Sequence, residues 1–439
     1  MAATLVVFIL FALSLCTASL AAAYDAGVLP KGVFSLGVEN RFYFSTDQRF
    51  GPHGNAEDLA GAFDNRALDS SVFPSLAALN PLVPGGHASI GDSSVHFEYD
   101  YNILLFTPAY GVTDRLTIGA EVPYYWVQNK VNASVNSGPG SSANVGLRTG
   151  PGPGPCALPV AVLPLACPNT RRFTTEDVQQ ILGPGLPGIS GFGFKPIKGF
   201  TADGFGDISL GAKYQYLRTE DWRLAATGGV RFPTGRPDDP DNLADIFWST
   251  GAYTLFARLH NDYLLSSLWN PRTEVAQLDP LLRTGNVLLN FTIGYDWVLP
   301  DDVTIRAGAE NALPTYRARV HRDVGDRIEF EIGGRWVVWY PFTVAVAYRY
   351  ALKFEDRVSG PKTFPNNFAE QDTDSTEQVY FAELYFSTVQ WYLQKRFPVP
   401  LNASITYRDR FAGSGPRAAG SPSQILKTRY LGVGLQFYF

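Results

Sequence analysis

The chain ends on an alternation that runs to its last residue. Leu431, Val433, Leu435, Phe437 and Phe439 interleave with Tyr430, Gly432, Gly434, Gln436 and Tyr438. Strand side chains point alternately to opposite faces, so one face of this segment is apolar and the other small or polar. A final strand of this kind suits a transmembrane β-barrel, where the last strand closes the wall with its apolar face toward lipid. The two partners expected there are outer-membrane lipid and the barrel-insertion machinery, which reads the terminal aromatic Phe439.

The start of the chain agrees. Thr4 to Leu15 is apolar, and Ala21-Ala22-Ala23 offers a small-residue cleavage site before Tyr24. The segment reads as a signal peptide over residues 1–23, leaving 24–439 as a single barrel domain. No Lys or Arg precedes the run, which departs from the usual pattern, and a short N-terminal anchor helix is the competing reading. Cys16 follows Leu15, where a lipoprotein signal requires a small residue, so lipidation is not expected. The mean hydropathy is −0.05. A helical membrane protein would be far more apolar, whereas half of every barrel strand faces a polar lumen. Aromatic residues make up 14%, enough for girdles at two interfaces. With a net charge of −5 and no basic block, nucleic-acid binding has no electrostatic support.

Period-2 runs place strands at Val33–Phe44, Val95–Phe106, Leu116–Trp126, Ile208–Leu217, Arg223–Phe232, Ile246–Arg258, Val287–Trp297, Val303–Glu310, Ile328–Trp339, Phe342–Lys353, Val379–Gln394, Leu401–Arg408 and Ile425–Phe439. Up-and-down topology then demands one more ascending strand, for which Tyr263–Trp269 is the candidate. The expected fold is an all-β, transmembrane, antiparallel up-and-down barrel of about fourteen strands, with twelve or sixteen as alternatives. Short turns fall on the side of the termini. Long external loops fall on the other, above all at 45–94 and 127–206, with 269–285 and 311–326 also assigned there. Bacterial outer-membrane location follows.

Two loops are too long to be mere connectors. In the first, Pro74 to Leu79 suits a helical turn or two. In the second, Thr174 and Asp177 fit a capping box and Gly183 a helix stop, giving a short helix with Val178, Ile181 and Leu182 on its apolar side. This helix is either a lid over the mouth or a loop packed on its neighbour. Once Cys16 leaves with the signal, Cys156 and Cys167 remain, and in an oxidising compartment a disulfide is the default.

Chemical motifs are sparse. Gly183-Pro184-Gly185-Leu186-Pro187-Gly188 has the letters of a dinucleotide fingerprint, but it follows a helix and carries prolines where one should start. The five His lack metal-ligand spacing, and no Gly-x-Ser-x-Gly elbow occurs. No cofactor, no metal and no enzymatic activity are expected. The lumen has mixed charge instead. Inward by parity are Glu39, Arg41, Glu98, Asp100, Glu121, Lys213, Arg231, Arg306, Glu310, Glu329, Glu331, Arg335, Arg349 and Arg408, together with the aromatics Tyr43, Tyr125, Trp339 and Tyr392. These charges either brace the wall as ion pairs or set a transverse field across a water-filled constriction.

Three segments carry a resemblance. They are Pro108 to Pro123 (Pro-Ala-Tyr-Gly-Val-Thr-Asp-Arg-Leu-Thr-Ile-Gly-Ala-Glu-Val-Pro), Gly204 to Tyr214 (Gly-Phe-Gly-Asp-Ile-Ser-Leu-Gly-Ala-Lys-Tyr) and Val230 to Gly235 (Val-Arg-Phe-Pro-Thr-Gly). In order and spacing they resemble the outer-membrane protein family of the phenol meta-degradation pathway, with a much enlarged loop between the first two. The resemblance implies a barrel linked to uptake of aromatic or other hydrophobic compounds, with no catalytic residues to carry over. It extends distantly to the fourteen-stranded long-chain fatty-acid transporters, which carry an N-terminal plug. Fewer than ten residues separate the expected cleavage site from the first strand here, so no such plug is expected and gating falls to the external loops. Two functions follow: a channel for passive uptake of a small-molecule solute, hydrophobic or aromatic in class by this resemblance, or a structural barrel, such as a sheath for an electron carrier or a surface-binding protein acting through its loops.

Overall fold

The computed structural model describes residues 25–158, 161–269, 283–308, 313–416 and 424–439. The expected signal peptide and Glu310 lie outside the described residues. Twelve strands close into an antiparallel barrel: β1 Phe34–Tyr43, β2 Asp92–Phe106, β3 Leu116–Asn136, β4 Ile208–Arg218, β5 Trp222–Phe232, β6 Thr254–Leu264, β7 Val287–Val298, β8 Arg327–Trp339, β9 Phe342–Lys353, β10 Ser375–Ser387, β11 Leu401–Ser414 and β12 Arg429–Tyr438. Each pairs with the next, and β12 closes on β1 from Ser35–Tyr438 to Tyr43–Tyr430. Two short strands extend the wall and bring the sheet to fourteen: Ala109–Thr113 continues β2, and Phe200–Phe205 pairs with β3 above β4. Closure leaves no free edge, as lipid requires of a spanning sheet.

Alternation explains the outer face. Phe42, Leu210, Leu259, Phe291, Ile332, Val346, Leu384, Ile405 and Val433 are all exposed. Exposed apolar surface on this scale needs a partner, and around a closed barrel that partner is lipid. Ring clusters mark two levels. Phe34–Phe439, Trp222–Tyr263 and Trp339–Phe342–Phe386 lie toward the termini. Tyr124–Trp126 and Tyr348–Phe411–Tyr380 lie toward the far side. No described helix is long and apolar enough to cross a membrane. The molecule is an outer-membrane β-barrel.

The third strand runs past the expected Trp126 to Asn136, the strand expected over Val379–Gln394 ends at Ser387 before a helical turn at Val389–Leu393, and one region differs more deeply. The sixth strand is Thr254–Leu264, not Ile246–Arg258, and Tyr263–Trp269 is no separate strand but the end of β6 and a 3-10 turn at Leu265–Leu268. The segment near Val303 is a real strand, Asp301–Ala307, but outside the wall. It pairs with Tyr316–Asp323, which pairs with Arg357–Ser359. The apolar side of this external sheet packs Ala307, Val320, Val358 and Phe364 together. Alternation reports one apolar face; it does not say whether lipid or protein covers it. In consequence β7 pairs with β6 and β8, and the connection around 269–285 joins β6 to β7 on the terminal side rather than the external one.

Candidate functional site

The lumen and the cap over its external mouth form the candidate site. Glu39, Arg41, Glu121, Lys213, Arg231, Glu329, Glu331, Arg335, Arg349 and Arg408 all face the lumen. The three other described charged candidates do not join them. Glu98 and Asp100 point outward, 2.6 and 2.7 Å from the Lys130 ammonium. Arg306 lies in the external sheet, bonded to Asp241 at 2.7 Å and stacked 4.2 Å from the Phe194 ring. Glu310 is not described. Among the aromatics, Tyr43 and Tyr125 are inward. Trp339 is turned outward by a bulge after Val337, and Tyr392 sits in a helical turn at Val389–Leu393.

The reversal on β2 has a physical cause. Its inward residues are Phe97, Tyr99, Tyr101, Ile103 and Leu105, and Phe97 and Tyr99 are almost wholly buried. Polar residues face out because β2 and β3 stand above the rest of the wall, paired as far as Asp92–Asn136. There the outer face meets water, while the inner face is covered by the cap. Parity separated the two faces correctly, but the usual rule of polar inside fails where protein fills the mouth.

The opposite side of the lumen is ionic. Arg231 lies 3.3 Å from Asp296; Asp296 lies 2.5 Å from Arg258; Arg258 lies 2.7 Å from Glu329. Arg327 then bridges Glu329, at 3.8 Å, to Glu377, which lies 2.7 Å from Arg410. This chain of alternating sign crosses the wall from β5 to β11. Gly294 makes room for it: a Cβ there would sit 2.5 Å from Arg258 and 2.7 Å from Glu329 side-chain atoms. Arg349 and Glu331 pair nearby at 2.7 Å, and Arg41 and Glu39 at 3.1 Å. Of these residues Arg258, Asp296, Arg327, Glu377 and Arg410 escaped the sequence reading. Arg258 and Asp296 lie inside expected strands and were recoverable; Arg327, Glu377 and Arg410 sit just past expected strand ends.

The chain from Asp25 onward reaches into the lower lumen, a contact the sequence reading did not foresee. Asp25 pairs with Arg335 of β8 at 2.6 Å and with Lys213 of β4 at 3.7 Å. The Ala26 amide donates to Asp262 of β6 at 3.1 Å, and Gln215 donates to the Ala26 carbonyl at 2.7 Å. Nearer the wall, the Leu29 amide donates to Thr117 at 2.8 Å. The chain passes so close to Gly111 that a Cβ there would lie 2.0 Å from the Pro30 carbonyl oxygen. A short segment thus touches β3, β4, β6 and β8 from inside the lumen.

The cap is built from the two longest loops. Its helix α1, Thr175–Leu182, starts at the expected capping box of Thr174 and Asp177 and ends at Gly183. Val178, Ile181 and Leu182 are buried against Phe73, Leu76, Leu79 and Phe194. Pro74–Leu82 forms a 3-10 helix. The Val135 amide of β3 donates to Thr175 at 3.1 Å, fastening the helix to the tall part of the wall. A hydrogen bond from Arg171 to the Asp177 carboxylate, with those from Thr174, holds the Asp177 pKa down to about 2. Cys156 and Cys167 are joined, with Cα atoms 5.6 Å apart. Below the cap a second apolar cluster of Leu59, Phe97, Tyr99, Val127 and Ile246 leads to Tyr101 and Tyr125. Across the mouth, burial pushes the Asp238 carboxyl up to about 7, helped by Asp245 and Asp239 and opposed by Arg322 and Arg236.

No cluster able to hold a metal occurs among the described residues. Residues 167–254 match the family described as "Putative MetA-pathway of phenol degradation". No curated protein sequence matches the chain. Among solved structures, the COG4313 outer membrane channel from Pseudomonas putida F1 is similar with a TM-score of 0.47 and 12% identity, covering 94% of this chain and 98% of that one. The Ralstonia pickettii toluene transporter TbuX is similar with a TM-score of 0.34 and 12% identity, covering 94% and 90%. The Pseudomonas putida toluene transporter TodX has a TM-score of 0.33 and 11% identity, covering 96% and 94%.

Proposed function

We propose that the chain forms an outer-membrane channel through which small hydrophobic or aromatic compounds pass passively. The observation that carries this reading is the division of the inner wall. A general porin has a polar lumen. Here the inward faces of β2 and β3 carry Phe97, Tyr99, Tyr101, Ile103, Leu105, Tyr125 and Val127, while the ionic chain occupies β5 to β11. The packed apolar residues under the cap give an uncharged solute an apolar wall to move along, while the charges opposite, themselves largely buried, satisfy one another. The phenol-degradation description of the matched family suits a solute of this class. The lumen-facing charges are assigned to bracing the wall, since most already have a partner of opposite sign.

A second reading rests on the N-terminal segment. Held to β4, β6 and β8, it favours a sealed barrel acting through its external loops. Planar-bilayer conductance of the refolded protein, run beside uptake of benzene and of glucose into proteoliposomes, separates the readings. Benzene uptake above that of empty liposomes, with little conductance and no glucose entry, supports the hydrophobic channel. Steady ohmic steps with glucose entry overturn it in favour of a general porin. Silence in all three, from inserted protein, overturns it in favour of a scaffold.

A further inference from the structure

Strands β10 and β11 are joined by residues 388–400 on the terminal side, the side of the short periplasmic turns. The connection has a fixed internal frame. Thr388, wholly buried, accepts from the Leu401 amide at 2.8 Å and donates to the Val399 carbonyl at 2.6 Å. The Gln390 amide donates to the Tyr340 hydroxyl at 2.8 Å. The helical turn Val389–Leu393 then ends at Lys395, whose φ is +58°. The Lys395 amide donates to the Tyr392 carbonyl and the Arg396 amide to the Trp391 carbonyl, both at 2.8 Å. This is the closure of a helix by a left-handed residue, a position that glycine fills most easily. Here it holds Lys395, and it ties the Arg396 main chain back to that of Trp391.

The side chains grade from apolar to cationic. Val344, Val346 and Leu384 are exposed on the outer wall, where lipid covers them. Phe342 and Phe386 stand at the periplasmic end of the same face, their rings 5.4 Å apart. Trp391 follows, 6.0 Å from the Phe386 ring and 5.6 Å from that of Tyr340. Around it Tyr392, Leu393 and Phe397 are exposed, as are Lys395 and Arg396. The connection contains no Asp or Glu, and neither cation has a carboxylate partner among the described residues. Aliphatic side chains, then rings, then two adjacent unpaired cations match the order of acyl chain, interface and phosphate in a bilayer.

We infer that this connection binds the headgroup of an anionic phospholipid of the periplasmic leaflet, phosphatidylglycerol in class. Trp391 lies at the acyl boundary, and Lys395 and Arg396 take the phosphodiester, which charge-assisted hydrogen bonds favour over a zwitterionic headgroup. The site rests on the barrel and its orientation, not on the uptake reading.

The test is native mass spectrometry of the full chain released from micelles holding equal amounts of phosphatidylglycerol, phosphatidylethanolamine and lipid A. Hydrogen exchange in nanodiscs made with and without phosphatidylglycerol locates the contact. Phosphatidylglycerol should be retained several-fold over phosphatidylethanolamine, and amides of residues 389–397 should exchange more slowly in its presence. The double variant Lys395→Gln with Arg396→Gln should lower that preference by at least about fivefold. Arg218→Gln, which removes an exposed cation at the turn between β4 and β5, should leave it unchanged. Equal retention of the two phospholipids overturns the inference and leaves the cations to an acidic protein partner. A preference that persists in the folded, heat-modifiable double variant overturns it, as does exchange at 389–397 that ignores phosphatidylglycerol. Retention of lipid A above phosphatidylglycerol overturns it in favour of a phosphate site elsewhere on the wall.

Discussion

Single residues carry the first two predictions. Asp25 is the outermost fastening of the N-terminal segment, paired with Arg335 at 2.6 Å. Asp25→Ala leaves Arg335 and Lys213 without their shared carboxylate and the segment held only by the main-chain bonds at Asp25, Ala26 and Leu29. Its single-channel conductance should rise several-fold over wild type, while β-sheet content by circular dichroism stays the same; equal conductance would mean that the segment obstructs nothing. Asp238 governs a different event, at the external rim. Its pKa is raised to about 7 in the folded loop, so the fold favours the protonated carboxyl. The loop is therefore most stable below the ordinary carboxylate range and loses that stability as pH rises from about 4 through 7. Hydrogen exchange of residues 233–253 should accelerate across that interval, and Asp238→Asn should flatten the dependence. The sequence marked the lumen charges on β8 and β9 because strict alternation runs through Glu329, Glu331, Arg335 and Arg349. It hid Asp25, because nothing local to residues 25–33 signals a partner more than 300 residues away.

At the scale of elements, the strands with a lipid-facing row were legible almost to the residue, as β4, β5, β7 and β9 are. Two of the failures share one cause. Asp301–Ala307 alternates as well as any barrel strand, yet its apolar row meets Val320 and Val358 rather than lipid. Glu98 and Asp100 obey parity but lie above the belt, where the outer face is wet and the inner face is roofed. Period 2 is a property of strands, and the medium on each side is a property of the assembled molecule. The loop containing Cys156 and Cys167 is a self-contained element, hung on the small sheet of Val145–Arg148, Val162–Pro164 and Thr170–Arg171. A crosslink over so short a loop restrains its own unfolded state by about 3 kcal/mol. Reduction should speed proteolysis within 145–171 and leave the barrel's urea midpoint unchanged; a shifted midpoint would show that the cap braces the wall.

For the whole molecule, barrel and cap differ in what holds them. The barrel is fastened by a closed ladder of main-chain pairs, the cap by the side-chain core around Phe73, Ile181 and Phe194. Replacing residues 145–190 with a short Gly/Ser linker should therefore give a chain that still inserts and shows heat-modifiable migration, with methyl signals of the cap core lost. Failure to insert would show that cap and wall fold as one. Sequence foretold the barrel because lipid imposes a strict pattern on every strand, and foretold little of the cap because a core drawn from scattered loops has no period. The height of β2 and β3 follows through to descent. The chain comes down from the first cap loop on β2 and climbs to the second on β3, two neighbouring strands that stay registered from Phe106–Val122 to Asp92–Asn136. Insertions, deletions and exchanges above that ribbon leave every other strand in step. Lineages can thus rewrite what the molecule recognises while inheriting its wall unchanged.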